Sequence, residues 1–256
     1  AVFRQREAWM TELTGYPTVS GYEEFLYEPD KPLHGDLTDY AYNQRGAIGY
    51  VVELWDLFKR LGMERPPKFA QLYERVAAGL ARGRLVFWYQ GRMEWGPRAL
   101  GNRSLLADPR REDMRELINS KVKCRESFRP FAPSVLADRA QEFFELPAPS
   151  PYMQFTVRVK ASAKGLLPAV THVDGTARVQ TVTRETNQRF YDLLAAFGRL
   201  TGVPVLLNTS FNVQEPIVCT PEDAVRCFQR TQVEWLVLGN LLVGRSSPPA
   251  ISNHAC

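Results

Sequence analysis

Five cations, Arg98, Arg103, Lys123, Arg125 and Arg129, lie in one stretch from Gly91 to Pro133, GRMEWGPRALGNRSLLADPRREDMRELINSKVKCRESFRPFAP. Three of them are flanked by residues that fix backbone shape: Arg98 follows Gly96-Pro97, Arg103 follows Gly101-Asn102, and Arg129 precedes Pro130. Guanidinium groups held at set angles on rigid loops suit bidentate binding of phosphate. Between Arg92 and Arg129 eight Arg and two Lys face six Asp or Glu, a surplus of four that equals the whole net charge of +4. The rest of the chain balances, so an anionic ligand is predicted here. Arg110, Arg111 and Arg115 fall on a predicted helix and read instead as surface cations able to pair with nearby glutamates.

Two further sets carry chemistry. Asn208, Ser210 and Asn212 follow the run VPVLLN, and chemistry in α/β sheets collects at strand ends. They are short, neutral hydrogen-bonding groups that can hold phosphate oxygens or a small amide without adding charge, and the same residues also suit a plain turn. In THVDGTARVQTVT a turn is predicted at Asp174-Gly175, followed by a strand from Thr176 on which Arg178 and Gln180 share one face. His172 beside Asp174 and Arg178 reads either as a substrate contact or as a hydrogen-bonding core histidine. No cluster of Asp, Glu, His or Cys identifies a metal site.

The elements that must position these groups are legible from periodicity. Phe69, Leu72, Tyr73, Val76, Ala77 and Leu80 make one helical stripe stopped by Gly83, and LVFWYQ, Leu85 to Gln90, then reads as a buried strand feeding the basic loop. Asp108-Pro109 predicts an N-cap with proline at the first helical position, and a helix to about Ser120. Asp138 is expected to cap a short helix, and Met153, Phe155, Val157 and Val159 alternate as in a half-exposed strand. Asn187 caps a predicted helix ending near Gly202; Val203 to Asn208 reads as a central strand; Thr220-Pro221 opens a helix; and a hairpin turns at Gly239-Asn240.

The motifs GRMEWGPRALGNRS, NSKVKCRESFRPFAPSVL, HVDGTARVQTV and GVPVLLNTSFNVQEPIV, in that order, resemble the C-terminal domain of the O-carbamoyltransferases of nodulation-factor and antibiotic biosynthesis, from about Tyr73 to Val243. The resemblance implies a YrdC-like α/β fold, a twisted mixed sheet with flanking helices. It also implies formation of carbamoyladenylate from carbamoyl phosphate and ATP, with magnesium accompanying the nucleotide. By the same resemblance Lys123, Arg129 and Ser210 are the catalytic positions. Arg98, Arg103, Arg125, His172, Asp174, Arg178, Gln180, Asn208 and Asn212 then serve substrate and nucleotide binding. A Kae1-like transfer domain with bound iron would pass the carbamoyl group to a hydroxyl acceptor; no stretch of this chain resembles it.

The remaining features bound the reading. The expected division is an N-terminal segment over residues 1–72, the carbamoyltransferase-like domain over 73–244 and a disordered tail over 245–256. Residues 33–56 resemble the end of an M14 zinc carboxypeptidase, with Glu53 near the end of a predicted strand, Ile48 to Leu54, in place of the general base. No HxxE zinc pair accompanies it, so a non-catalytic remnant is expected. The cysteines Cys124, Cys219, Cys227 and Cys256 form no CxxC pair and are expected reduced. No apolar run approaches membrane-spanning length and no signal pattern opens the chain, which reads as cytoplasmic with no membrane partner. The alternative of a basic nucleic-acid-binding module is disfavoured by the small charge surplus and by aromatics that do not alternate with the Arg residues.

Overall fold

The computed structural model describes residues 69–94 and 96–245, together with two short paired strands, β1 (Leu26–Glu28) and β2 (Lys31–Pro32). The carboxypeptidase-like segment with Glu53 and the chain from residue 246 onward lie outside the described residues. The chain divides into two compact units, Ala1–Arg65 and Pro66–Cys256.

In chain order the second unit contains α1 (Phe69–Ala81), β3 (Val86–Tyr89), β4 (Arg103–Ala107), α2 (Met114–Lys121), β5 (Ala132–Leu136), β6 (Phe155–Arg158), β7 (Thr176–Val182), α3 (Gln188–Thr201), β8 (Val205–Ser210), α4 (Pro221–Arg230), β9 (Trp235–Leu238) and β10 (Leu241–Gly244). Eight strands form one mixed sheet in the order β10-β9-β3-β4-β8-β5-β7-β6, parallel at β3–β9 and β5–β7 and antiparallel elsewhere. The expected α/β fold, a mixed sheet flanked by helices, is therefore observed.

Each face of the sheet buries its own apolar cluster, as continuous hydrophobic strands require. On one face the α1 stripe of Leu72, Tyr73, Val76, Ala77 and Leu80 meets Phe190, Leu193 and Phe197 of α3 across Trp88, Leu106 and Leu206. On the other, Met114 and Ile118 of α2 and Phe228 of α4 cover Phe87, Leu105, Val135, Val179 and Leu207. The predicted helix signals of α3 and α4 are realised. Asn187 accepts from the Phe190 N–H and Gly202 closes α3 at φ 76°, while Thr220 and Asp223 form a capping box with Pro221 behind them.

Four local expectations need correction. α2 begins at Met114 rather than Pro109, because the carboxylate of Asp108 is held by a bidentate contact with Arg110, 2.7 Å at its shortest, and by the Arg110 N–H, so the chain turns once before the helix starts. Asp138 makes no capping bond; Leu136 occupies the cap position of a 3-10 turn over Ala137–Glu142. Arg245 is not the head of a loose tail, since its guanidinium donates to the carbonyls of Phe228, Thr231 and Val233 at the end of α4. Cys219 and Cys227 are free thiols, but Cys124 is disulfide-bonded, which local cysteine spacing does not foresee because spacing reports only pairs close along the chain.

The turn that carries the basic loop into β4 depends on Gly101. Its φ is +110°, and a Cβ built there would stand 2.3 Å from Cδ1 of the fully buried Phe190. Gly101→Ala therefore combines a left-handed backbone with a core clash and is expected to cost about 2 to 4 kcal/mol. Chemical denaturation checks this, and an unchanged midpoint would mean that the turn relaxes freely.

Candidate functional site

The basic loop between β3 and β4 is fixed by its own backbone groups. Glu94 accepts the N–H groups of Leu100, Asn102 and Arg103 at 2.9, 2.9 and 3.1 Å. From below, Asn208 on β8 donates to the carbonyl of Ala99 at 3.1 Å and Gln180 on β7 donates to that of Leu100 at 2.8 Å. Ser134 on β5 links the two amides, giving a hydrogen bond to Oε1 of Gln180 at 2.6 Å and accepting one from Asn208. Trp88 donates its indole N–H to the Gly101 carbonyl at 2.9 Å. Arg98 thus projects from a loop held on both sides, although no hydrogen bond of its own fixes it among the described residues. Burial raises the pKa of Glu94, and the three backbone donors and Arg103 oppose it.

Across from this loop, β8 ends at Ser210, with Asn212 two residues beyond it. Phe211 anchors the turn between them by stacking on Phe87 at 3.9 Å and 8°. The ammonium of Lys123, 3% exposed, reaches in just after α2 and donates to the carbonyl and hydroxyl of Ser210 at 2.6 and 3.2 Å. It also donates to the carbonyl and Oδ1 of Asn212 at 2.8 and 2.7 Å. Burial, and then the neighbouring charge of Arg125, lower its pKa to about 7 against the opposing influence of Cys227 and Glu215. Ser210 and Asn212 line a cleft of ≈ 580 Å³ whose opposite wall is Met93, Glu94, Gly96 and Pro97.

The remaining cations act on one another in pairs. Arg178 on β7 is half-buried, and burial and then the like charge of Arg98 lower its pKa. Arg125 is lowered by burial and then by Arg129, while its Nε donates to Asn119 at 2.7 Å and its guanidinium stacks on Phe131. None of Arg98, Arg125, Arg129 and Arg178 forms an ion pair with a carboxylate among the described residues. Like charges packed together without a counterion are what an anion-binding site costs in the free protein.

The predicted site residues therefore separate into three groups. Lys123 holds Ser210 and Asn212 at the cleft, Arg125 of the pair Arg125–Arg129 acts on Lys123, and Arg98, coupled to Arg178, follows Pro97 of the cleft wall. His172 and Asp174 line a second cavity of ≈ 360 Å³ with Arg115, Phe128, Pro130 and Val173. Arg103, Gln180 and Asn208 are buried and face the scaffold instead. The Arg103 guanidinium donates to the carbonyls of Gln90, Gly91, Asn102 and Cys219 and lies 3.6 Å over the Tyr89 ring, so backbone acceptors occupy it in place of a ligand. Gln180 shares its strand face with Arg178, as predicted, but its amide is spent on the loop. Two positioning residues escaped the sequence reading. Glu94 carried no signal beyond its place between a glycine turn and a tryptophan. Asn119, 0% exposed, donates to the carbonyls of Ser127 and Arg129 and so closes the Arg125–Arg129 turn.

This fold and this site place the chain in a defined family: residues 77–245 match the Carbamoyltransferase C-terminus, and the chain belongs to that family. It is 54% identical over 173 residues to nodulation protein NolNO of Sinorhizobium fredii, covering 66% of this chain and 25% of that protein. It is 51% identical over 182 residues to nodulation protein NolO of Bradyrhizobium diazoefficiens, covering 70% and 33%. A crystal structure of full-length HypF in the phosphate- and nucleotide-bound form aligns with 61% of this chain and 19% of that one, with a TM-score of 0.41 and 17% identity. The chain spans a quarter to a third of the length of the two nodulation proteins. Among the described residues no helix is long and apolar enough to cross a membrane.

Proposed function

We propose that this domain activates a carbamoyl group, forming carbamoyladenylate from carbamoyl phosphate and ATP for transfer to a hydroxyl acceptor. The observation that carries the reading is the buried Lys123 ammonium between Ser210 and Asn212, beside two arginine pairs that lack carboxylate partners among the described residues. Two phosphorylated reactants repel each other, and several preorganised cations offset that repulsion where one could not. Carbamoyl phosphate and water give carbamate and phosphate. A carbamate oxygen then attacks the α-phosphorus of ATP, the bond from that phosphorus to the bridging oxygen breaks, and pyrophosphate leaves with the electron pair.

In this reading Arg98 and Arg178 grip the carbamoyl donor, and Arg125 and Arg129 the departing phosphates. Lys123 supplies positive charge at the reacting phosphoryl group, and Ser210 and Asn212 orient it through the same atoms that hold the lysine. Among the described residues no three His, Cys, Asp or Glu side chains converge on a possible metal site. Magnesium, in this reading, enters with the nucleotide, held by phosphate oxygens. Transfer to the acceptor, and the iron-bearing domain that would perform it, belong to a Kae1-like partner domain in cis or in trans.

The test is isotope exchange between pyrophosphate and ATP. Exchange is expected only when carbamoyl phosphate or carbamate is present. Absence of exchange from folded protein that binds ATP would show that the domain does not activate carbamate by itself.

A further inference from the structure

The turn after β8 carries a carboxylate, and α4 a thiol, that the proposed reaction does not use. Glu215 sits in that turn, just before Pro216 and Ile217 of the cleft wall. Cys227 is on α4, 3% exposed, in the apolar cluster that α2 and α4 cover. The two side chains are hydrogen-bonded to each other, the thiol donating and the carboxylate accepting. Oε2 of Glu215 also accepts the N–H of Gln214 at 3.1 Å. The carboxylate is therefore tied to α4 on one side and to its own turn on the other.

This thiol is a donor and not a nucleophile. Burial, then the charge of Glu215 and the hydrogen bond to it, push it up to about 12 against the opposing influence of Lys123 and Arg230. It keeps its proton throughout the neutral range. Partial burial acts to raise the Glu215 carboxyl, but the N–H of its own residue, the Cys227 thiol and the N–H groups of Gln214 and Val213 outweigh that, and the carboxyl lies below its ordinary value. Glu215 is thus a negative charge near pH 7, with a neutral thiol behind it.

Hydrogen bonds join Glu215 to the buried lysine. Its carbonyl accepts Nδ2 of Asn212 at 2.6 Å, which turns Oδ1 of that amide toward Lys123. Oδ1 accepts Nζ of Lys123 and the hydroxyl of Ser210, each at 2.7 Å. With its proton so committed, the Ser210 oxygen meets Nζ as an acceptor at 3.2 Å. The four oxygens that touch the ammonium are all neutral, and Lys123 has no ion pair among the described residues. Burial disfavours its charge most and Arg125 adds to that, while Glu215 opposes them; Cys227 could oppose only as a thiolate, which it does not become near pH 7.

We propose that Glu215 and Cys227 are a positioning pair for Lys123: Glu215 is the counter-charge that keeps the lysine an ammonium at neutral pH, and the thiol of Cys227 holds that carboxylate in place. The pair acts through Asn212 and across the turn, without touching a ligand. Its use to the reaction rests on the reading of Lys123 as the cation at the phosphoryl group, and it adds to that reading what keeps the cation charged. A direct ion pair would tie the ammonium up; a carboxylate set one residue behind favours its proton and leaves it for a phosphate.

Two readouts on the whole chain separate this pair from the reading beneath it. The first needs no ligand: the Cε resonance of Lys123, in protein labelled with carbon-13 lysine and assigned with Lys123→Met, is followed through a pH titration. Its midpoint is expected at about 7. Glu215→Gln, which keeps the shape and loses the charge, should lower the midpoint by about one pH unit. Cys227→Ala should lower it part of the way by freeing the carboxylate, and Cys227→Ser, which restores a donor, should return it. Were Cys227 only packing, alanine would be the better replacement in an apolar cluster and serine the worse, and neither would move the midpoint. The second readout is calorimetric binding of Mg-ATP. Glu215→Gln should bind it about ten-fold more weakly than the unaltered chain at pH 8 but only about two-fold more weakly at pH 6, as the fraction of ammonium dictates. A Lys123 midpoint unchanged in Glu215→Gln would overturn the proposal, and so would a midpoint that falls as far in Cys227→Ser as in Cys227→Ala. The serine and alanine variants decide it alone if Glu215→Gln does not fold. A shifted midpoint with Mg-ATP affinity independent of pH in the unaltered chain would uphold the pair and overturn Lys123 as a phosphate contact.

Discussion

Lys123→Met is expected to lower carbamate-dependent pyrophosphate exchange by about a hundred-fold or more, the range seen when one preorganised donor to a developing charge is removed. The methionine fills the space of the lysine stem, but the carbonyls of Ser210 and Asn212 lose a shared donor in a buried site. The Ser210 carbonyl keeps the Asn212 N–H at 3.1 Å, but the Asn212 carbonyl loses its donor, and an acceptor left without a partner costs about 1 to 3 kcal/mol, so the turn should loosen as well. Arginine is no substitute, because its planar fork cannot replace a compact ammonium amid four oxygens. A variant that retained exchange within a few-fold would exclude Lys123 from the reaction.

The same lysine gives the protein a pH signature. Its proton leaves at about 7 in the folded chain, against an ordinary value of 10.5 in the unfolded one. Between those values the unfolded chain binds the extra proton, so stability is expected to rise with pH across that window and to lose this part as pH falls through 7. The four oxygens around Nζ favour the ammonium and temper the effect. Urea unfolding at pH 6.5 and pH 9.5 reads the slope, which Lys123→Met should flatten. Anion binding has the opposite sign: a phosphate needs the ammonium, so its affinity should fall as pH rises past about 7. Binding should also draw protons from the buffer, measurable by calorimetry in buffers of different ionisation enthalpy.

What the sequence made legible, and what it hid, follows from the range of each interaction. The capped helices α3 and α4, the hairpin of β9 and β10 and the strand ending at Ser210 depend on residues a few positions apart, and periodicity and caps report those. The start of α2 failed at the same short range because two local readings of Asp108 compete, and the pairing with Arg110 wins over the cap. The site failed at long range. Arg103 and Arg98 look alike in sequence, each an arginine just after a turn. Only the packed chain brings the carbonyls of Gln90, Gly91 and Cys219 onto Arg103, while Arg98 has no carboxylate partner among the described residues. Asn208 and Gln180 likewise looked like ligand donors, but their amides hold the carbonyls of Ala99 and Leu100. They act one step behind the site, by fixing the loop from which Arg98 projects.

That division of labour separates two kinds of arginine by experiment. In the free protein both burial and the nearby charge of Arg98 act against the charge on Arg178, and no described carboxylate offsets them. Arg178→Ala should therefore leave the melting temperature unchanged or raise it, the pattern expected where a site holds strain for the sake of its ligand. Binding of a phosphorylated ligand should nonetheless weaken ten- to a hundred-fold, since a charge-assisted hydrogen bond contributes about 1.5 to 3 kcal/mol. Arg178→Lys should recover only part of that, a point charge replacing a bidentate fork. Arg103→Ala is the counterpart. Its guanidinium bridges backbone carbonyls of β3, β4 and the turn before α4, so its loss should lower the melting temperature first and affinity only through the unfolded fraction. Thermal denaturation beside calorimetric titration with carbamoyl phosphate tests both. A fall in stability with unchanged affinity for Arg178→Ala would move that residue into the scaffold with Arg103, and leave Arg98 alone at that side of the cleft.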